Sequence, residues 1–158
     1  MGYLFGVDEV FQIAVEIEKN GEAFYRRAAE GVQDKKVKSV LNRLASMERE
    51  HEGAFSSLKS QLTDAEKQET TFDPVGEAAA YLKALADTRV FFKKEIDMSS
   101  PEEVLKSAMI GEKDSIAFYL GIKEMIQGPT GKARMDEIIR EEMQHLKLLG
   151  IELLEFKS

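Results

Sequence analysis

The sequence contains one pattern of acidic residues and histidines twice, with the second copy 94 residues after the first. The repeated residues are four glutamates and both histidines of the chain, namely Glu18, Glu48, His51, Glu112, Glu142 and His145. In each copy a lone glutamate precedes a Glu-x-x-His motif by 30 residues, which is the length of one helix, a short turn and half of a second, antiparallel helix. The pattern therefore predicts four helices that direct four carboxylates and two imidazoles towards one point, an arrangement that can bind two iron or manganese ions.

All six residues lie within apolar stripes at helical spacing. On the second predicted helix, Leu44, Glu48, His51 and Phe55 follow one another in steps of three and four residues, so two polar residues interrupt an apolar seam. Unpaired buried carboxylates are costly, and four together would repel one another until they took up protons. Two divalent cations would cancel the four negative charges. We therefore expect the six residues to be metal ligands.

A structural role is the simpler interpretation for some of these residues and their neighbours. A single histidine on an apolar face is more often a hydrogen-bonded core residue than a ligand, but here both histidines occupy matching places in a repeat. Tyr25 and Tyr119 follow the lone glutamates by seven residues and are the candidate catalytic residues besides the ligands. The sequence leaves open whether they are plain core residues or donate hydrogen bonds to the carboxylates. Glu22 is ambiguous because its counterpart is Ile116, and we expect it at the surface or beside the site.

Start and stop signals place the four helices. Asp8 and Asp34 are candidate N-caps of the first two helices, and Ser100-Pro101 followed by Glu103 is a strong start signal for the third. The composition, with three prolines and no tryptophan, favours helices over sheet. The first three helices are predicted to span about 8–31, 34–62 and 100–127. The fourth is predicted to follow a break at 128–131 and to end near Phe156.

These elements predict one all-α domain over residues 1–158, an antiparallel four-helix bundle. Its repeats cover 10–62 and 104–156, and a long crossover over 63–100 joins them. Within the crossover, Glu77–Leu85 is predicted to form a short fifth helix.

Charge and composition exclude several classes of function. The net charge is -7 and the chain has no basic patch, so we expect neither nucleic acid nor a membrane surface as a partner. With no leader and no membrane span, a soluble cytoplasmic protein is expected. The absence of cysteine excludes disulfides, thiolate nucleophiles and iron–sulfur clusters. Exposed apolar residues on the crossover, such as Phe91 and Phe92, predict a homodimer.

The chain resembles the ferritin-like di-iron carboxylate proteins. The segments Ile17–Tyr25 and Met47–His51 are most similar to the rubrerythrin branch of that superfamily, and the likeness covers Val10–Phe156 apart from the crossover. The resemblance implies that the ligands carried by single helices are Glu18 and Glu112, the bridging ligands Glu48 and Glu142, and the nitrogen ligands His51 and His145.

Two features depart from the rubrerythrin pattern. Rubrerythrins have a further glutamate three residues after the ligand on the third helix, where this chain has Ser115. That difference puts in doubt the redox-linked exchange of one iron between histidine and glutamate that the family shows. Rubrerythrins also usually carry a cysteine-rich rubredoxin module as electron donor. With no cysteine here, electrons would have to come from a separate protein.

The resemblance implies a di-iron oxidoreductase that reduces hydrogen peroxide or dioxygen with electrons from an external donor protein. Two iron ions are the expected cofactor, and manganese uses the same ligands. One alternative is an iron-handling protein that oxidises ferrous ions and stores or transfers the product, as ferritins do. A further alternative is a non-catalytic bundle that keeps the metal site for folding or sensing.

Overall fold

The computed structural model describes residues 7–62, 95–126 and 129–158. In these residues the regular elements are four helices: α1 Val7–Gly31, α2 Lys35–Ser60, α3 Pro101–Met125 and α4 Pro129–Lys157. The all-α prediction and the four main helices are confirmed, each end lying within about three residues of its expected place. The predicted fifth helix, Phe91, Phe92 and most of the crossover lie outside the described residues.

The helix starts show how the local sequence sets the boundaries. The Asp34 carboxylate accepts a hydrogen bond from the Val37 amide at 2.9 Å and caps α2. The Ser100 hydroxyl accepts one from the Glu103 amide at 3.3 Å and caps α3. These side chains satisfy amides that have no partner within the helix.

Two predicted starts were misplaced. Asp8 lies inside the first turn of α1, which begins at Val7, so it is not the cap. An acidic side chain is favourable in a first turn as well, because it faces the positive end of the helix dipole. Helix α4 begins at Pro129, within the segment predicted to be a break. Proline suits the first helical position, where its missing amide hydrogen has no helical acceptor to lose.

The four helices form two hairpins. Helix α1 packs along α2 and α3 packs along α4, while α1 also contacts α3 and α2 contacts α4. The interior contains a cluster of aromatic rings, in which the Phe55 ring lies 5.0 Å from that of Tyr119 and 6.4 Å from that of Phe11, measured between centroids. Each helix thus presents one apolar face to the axis of the bundle.

Gly31 ends α1 where the segment that leads into α3 passes against it. A Cβ atom at this position would lie 2.5 Å from the backbone carbonyl oxygen of Met98. Only glycine allows the two backbones to approach so closely. The contact fixes the entry to the second hairpin against the end of the first helix.

None of the four described helices has an apolar stretch of the length that crossing a bilayer requires.

Candidate metal centre

The six repeated residues meet at mid-height in the bundle. None is more than 2% exposed, and they are Glu18 on α1, Glu48 and His51 on α2, Glu112 on α3, and Glu142 and His145 on α4. They are brought inside by the helical period, since each lies one turn from apolar residues that face the axis. On α2 the flanking residues are Leu44 and Phe55, and both are fully buried. The structure therefore brings together every residue of the predicted ligand set.

The six side chains form two overlapping groups of possible ligands. The first contains Glu18, Glu48, His51 and Glu142, and the second contains Glu48, Glu112, Glu142 and His145. In each group the ligand atoms lie within 4.8 Å of one another. Glu48 and Glu142 belong to both groups, as carboxylates that bridge two neighbouring ions would.

Both imidazoles turn the same nitrogen to the cluster. His51 Nδ1 lies 2.5 Å from Glu142 Oε1 and 3.7 Å from Glu18 Oε2. His145 Nδ1 lies 3.3 Å from Glu48 Oε1 and 3.4 Å from Glu112 Oε1. The two rings are stacked, with 5.5 Å between centroids and 18° between planes.

Many of the buried atoms that face the cluster make no hydrogen bond of good geometry, although some of them lie close to one another. Within the described part of the chain they are Glu18 Oε2, Glu48 Oε1, His51 Nδ1, Glu112 Oε2, both Glu142 oxygens and His145 Nδ1. Buried polar atoms are nearly always hydrogen-bonded, so this concentration needs an explanation. Two cations would supply the missing partners. Nitrogen and carboxylate oxygen without sulfur is a donor set that suits iron or manganese. The residues therefore fit a pair of metal ions.

Without cations, protons compensate part of the negative charge. Burial and then the charge of Glu142 raise the pKa of Glu48 well above its ordinary value. Burial and then the charge of Glu112 do the same to the pKa of Glu142. Burial lowers the pKa of His51, but hydrogen bonding to Glu142 and Glu18 outweighs it and raises that pKa to about 11. Such protons must leave when metal ions bind.

Glu112 shows the opposite shift. Burial acts to raise its pKa, but close polar contact with Glu142 and His145, the charge of His145 and the hydrogen bond from Tyr25 together lower it. Glu112 therefore stays ionised beside carboxyl groups that hold protons.

The two tyrosines connect the halves of the repeat. Tyr25 on α1 donates a hydrogen bond to Glu112 Oε1 on α3 at 2.5 Å, and Tyr119 on α3 donates one to Glu18 Oε1 on α1. Each phenol therefore donates its hydrogen bond to a carboxylate of the other half. This crossed pairing requires α1 and α3 to run in opposite directions. Both side chains are fully buried core residues as well, so the two interpretations that the sequence left open apply together.

Both phenols remain protonated donors. Burial, followed by the charges of Glu112 and Glu48, raises the pKa of Tyr25 well above its ordinary value. Burial, followed by the charge of Glu18, has the same effect on the pKa of Tyr119. Each hydroxyl therefore holds one oxygen of a glutamate and leaves the other oxygen for a metal ion.

The sequence pattern missed one residue of the site. Glu141 Oε2 lies 2.6 Å from His51 Nε2, on the side of the ring that faces away from the cluster. The available signal was its position beside Glu142, but the repeat concealed it because the counterpart of Glu141 is Met47. Histidine ligands commonly donate their second N–H to such an acceptor.

Two further residues have roles away from the cluster. Glu22 forms an ion pair with Arg26 on the outer face of α1, with 3.4 Å between Oε1 and Nε. Ser115 is buried and donates a hydrogen bond to the Gly111 carbonyl oxygen at 3.0 Å. The position at which rubrerythrins have an additional glutamate therefore offers no carboxylate to the site.

Comparisons with known proteins agree with this geometry. A family model described as Rubrerythrin matches residues 9–150. A protein from Thermotoga maritima, described as ferritin-like and diiron-carboxylate, is 24% identical with a TM-score of 0.72, over 98% of this chain and 99% of that one. A hypothetical protein from Pyrococcus furiosus is 22% identical with a TM-score of 0.69, over 94% and 89%. No curated protein matches the chain. The structural likeness confirms the bundle, and the family match confirms the resemblance seen in the sequence.

Proposed function

The chain belongs to the rubrerythrin family, and we propose that it is a di-iron oxidoreductase that reduces hydrogen peroxide or dioxygen. The observation that carries the proposal is the pair of four-residue groups that share Glu48 and Glu142. Buried ligand atoms without hydrogen-bond partners converge there from all four described helices. Electrons would come from an external donor protein, because a chain without cysteine contains no rubredoxin-type centre.

The ligand roles that we propose follow the membership of the two groups. Glu48 and Glu142 would bridge the ions, since each lies in both groups. Glu18 and His51 would complete one metal position, and Glu112 and His145 the other. Two divalent cations balance four carboxylates, which removes the cost of burying that charge.

The side chains prepare the site for a two-electron reaction. When bound, two ferrous ions would supply one electron each, enough to reduce one hydrogen peroxide with two protons to two waters. Glu48 and Glu142, the carboxylates shared by the two groups, would hold both ions. Tyr25 and Tyr119 fix the unshared carboxylates through hydrogen bonds, and burial keeps bulk solvent away. Nitrogen and oxygen ligands fit manganese as well as iron. Zinc, which has no accessible second oxidation state, could not supply the electrons.

Anaerobic single-turnover titration tests the proposal. Protein loaded with ferrous ions is titrated with hydrogen peroxide, and the remaining ferrous ion is measured with a chelator. We expect one peroxide to oxidise two ferrous ions, and an artificial reductant to restore the ferrous state for further cycles. Loaded protein whose ferrous ions are oxidised neither by hydrogen peroxide nor, in a parallel titration, by dioxygen would refute the reductase proposal. A Glu137→Gln variant is the matched control, because Glu137 pairs with Arg134 on the outer face of α4.

The same experiment separates the two alternatives. An iron-handling protein would oxidise ferrous ions and keep accumulating ferric product, and light scattering would show a cage-sized assembly. A non-catalytic bundle would bind metal and gain stability without consuming peroxide. The homodimer and the cytoplasmic location stay predictions.

A further inference from the structure

The two histidines of the centre are held differently on their outer sides. His51 Nε2 contacts Glu141 Oε2 at 2.6 Å. His145 Nε2 is buried and has no hydrogen-bond partner in the described part of the chain. The counterpart of Glu141 in the first copy of the repeat is Met47, whose thioether is at most a weak acceptor. The repeat is therefore broken at the acceptor that would orient the second imidazole.

The contact with Glu141 determines which nitrogen of His51 is available to a metal. A carboxylate oxygen accepts, so Nε2 must carry the hydrogen of this bond. With a metal bound, Nδ1 is then the nitrogen that offers its lone pair, and it is the nitrogen that lies 2.5 Å from Glu142 and 3.7 Å from Glu18. The hydrogen bond also fixes the rotation of the ring. Both effects direct Nδ1 of His51 towards the cluster as the donor atom for a cation.

His145 is as buried as His51, but its Nε2 has no comparable acceptor among the described residues. It is 2% exposed, as His51 is, and its Nδ1 also faces the cluster. With no acceptor at Nε2, nothing among the described residues selects the tautomer that leaves Nδ1 unprotonated. Binding a metal at this position must therefore select the tautomer and immobilise the ring.

We propose that Glu141 is a positioning residue that makes the two metal positions unequal. The position built from Glu18 and His51 binds its ion more tightly, and the position built from Glu112 and His145 binds more weakly. The ion beside His145 is therefore the first to be lost when metal is scarce. This inference rests on the proposed metal centre.

Titration of the full-length metal-free protein with Co²⁺ under anaerobic conditions tests the proposal, with calorimetry and visible absorption as readouts. Wild-type protein is expected to bind two ions in two resolved steps. Glu141→Leu should weaken the tighter step by roughly ten- to a hundredfold and leave the other step unchanged. Glu141→Gln should preserve most of the affinity, because its amide oxygen can still accept the hydrogen bond from Nε2. Met47→Glu introduces an acceptor at the equivalent place and should tighten the weaker step.

Controls make the outcomes distinguishable. Glu137→Leu removes a carboxylate from the outer face of α4, one turn before Glu141, and should leave both steps unchanged. Superimposable titrations of wild type and Glu141→Leu would overturn the proposal, and so would equal weakening of both steps or a single wild-type step of two identical sites. A wild-type protein that binds no Co²⁺ would reject the metal centre itself, and the inference with it.

Discussion

The two halves of the repeat supply the same ligands from the same positions, yet they surround them differently. In the first half the lone glutamate is followed three residues later by Gly21, and in the second by Ser115, whose hydroxyl bonds back to its own helix. The histidine of the first half has Glu141 as an outer acceptor, whereas His145 has none among the described residues. The ligands and the tyrosines that bond them are repeated, but the residues at the positions of Ser115 and Glu141 are not.

This difference teaches that each half depends on the other. Glu141, which orients the histidine of the first half, comes from the second half. The tyrosines are likewise exchanged, since Tyr25 bonds Glu112 and Tyr119 bonds Glu18. Neither hairpin could therefore form half of the centre alone.

The largest expected effect is on metal content, and it distinguishes a carboxylate that belongs to both ligand groups from one that belongs to a single group. Glu142→Gln should abolish the binding of both metal ions, because Glu142 contributes to both groups. Glu112→Gln should leave the position built from Glu18 and His51 and cost only one ion. Elemental analysis after equilibrium dialysis against ferrous ion measures both outcomes. If both variants lost the same number of ions, the assignment of Glu142 as the bridging ligand would be wrong.

The next largest effect is expected when either tyrosine that bonds a glutamate of the other half is replaced. Tyr25→Phe removes the donor to Glu112 and Tyr119→Phe the donor to Glu18. Each should lower the free energy of unfolding by about 1.5–3 kcal/mol, since a buried charged acceptor loses its partner. Tyr25→Phe should also weaken metal binding in the second half, and Tyr119→Phe in the first. Denaturant unfolding and Co²⁺ titration measure the two effects. Each variant weakening the half that carries its own tyrosine would contradict the exchange.

A smaller effect compares two glycines of the first hairpin. Gly31→Ala places a Cβ against the Met98 carbonyl and should destabilise the protein by about 1–2 kcal/mol. Gly53→Ala meets no atom within 4 Å and should stabilise α2 by about 0.5–1 kcal/mol. Thermal unfolding of the metal-free proteins checks the opposite signs. Stabilisation by both substitutions would show that the approach of Met98 to α1 is absent in solution.

The smallest expected effect is the difference in unfolding free energy lost when the N-caps of α2 and α3 are removed. Asp34→Ala and Ser100→Ala should each cost about 1 kcal/mol of unfolding free energy. The loss should be greater for Asp34, whose bond to the Val37 amide measures 2.9 Å against 3.3 Å for Ser100 to Glu103. Denaturant titration of the two variants gives the ranking. A reversed order would show that hydroxyl geometry outweighs carboxylate charge at these caps.

The sequence was sufficient to predict the bundle and the convergence of six side chains. Helical periodicity is a local property, and the constant offset of the repeat places both copies at the same height. Helix ends depend on single caps and were less certain, as Asp8 and Pro129 show. A Gly-Pro pair signals a break and a helix start equally well, and packing decides between them.

The contacts between halves could not be predicted from the repeat. The pattern placed Tyr25 on the face of Glu18, but the phenol bonds Glu112 because α1 and α3 are antiparallel neighbours. Glu141 was missed because Met47 occupies the matching position in the first copy. Comparing the two copies identifies only residues that are repeated, and Glu141 is not repeated. Side chains that act across helices become visible only when the helices are in place.

The most direct test of the central claim is the metal content of the wild-type chain purified under anaerobic, iron-sufficient conditions. We predict close to two iron ions per chain, and loss of both in Glu142→Gln protein of unchanged helical content. Protein that takes up no stoichiometric metal, or a variant that retains both ions, would contradict the assignment of the six residues as a dinuclear centre.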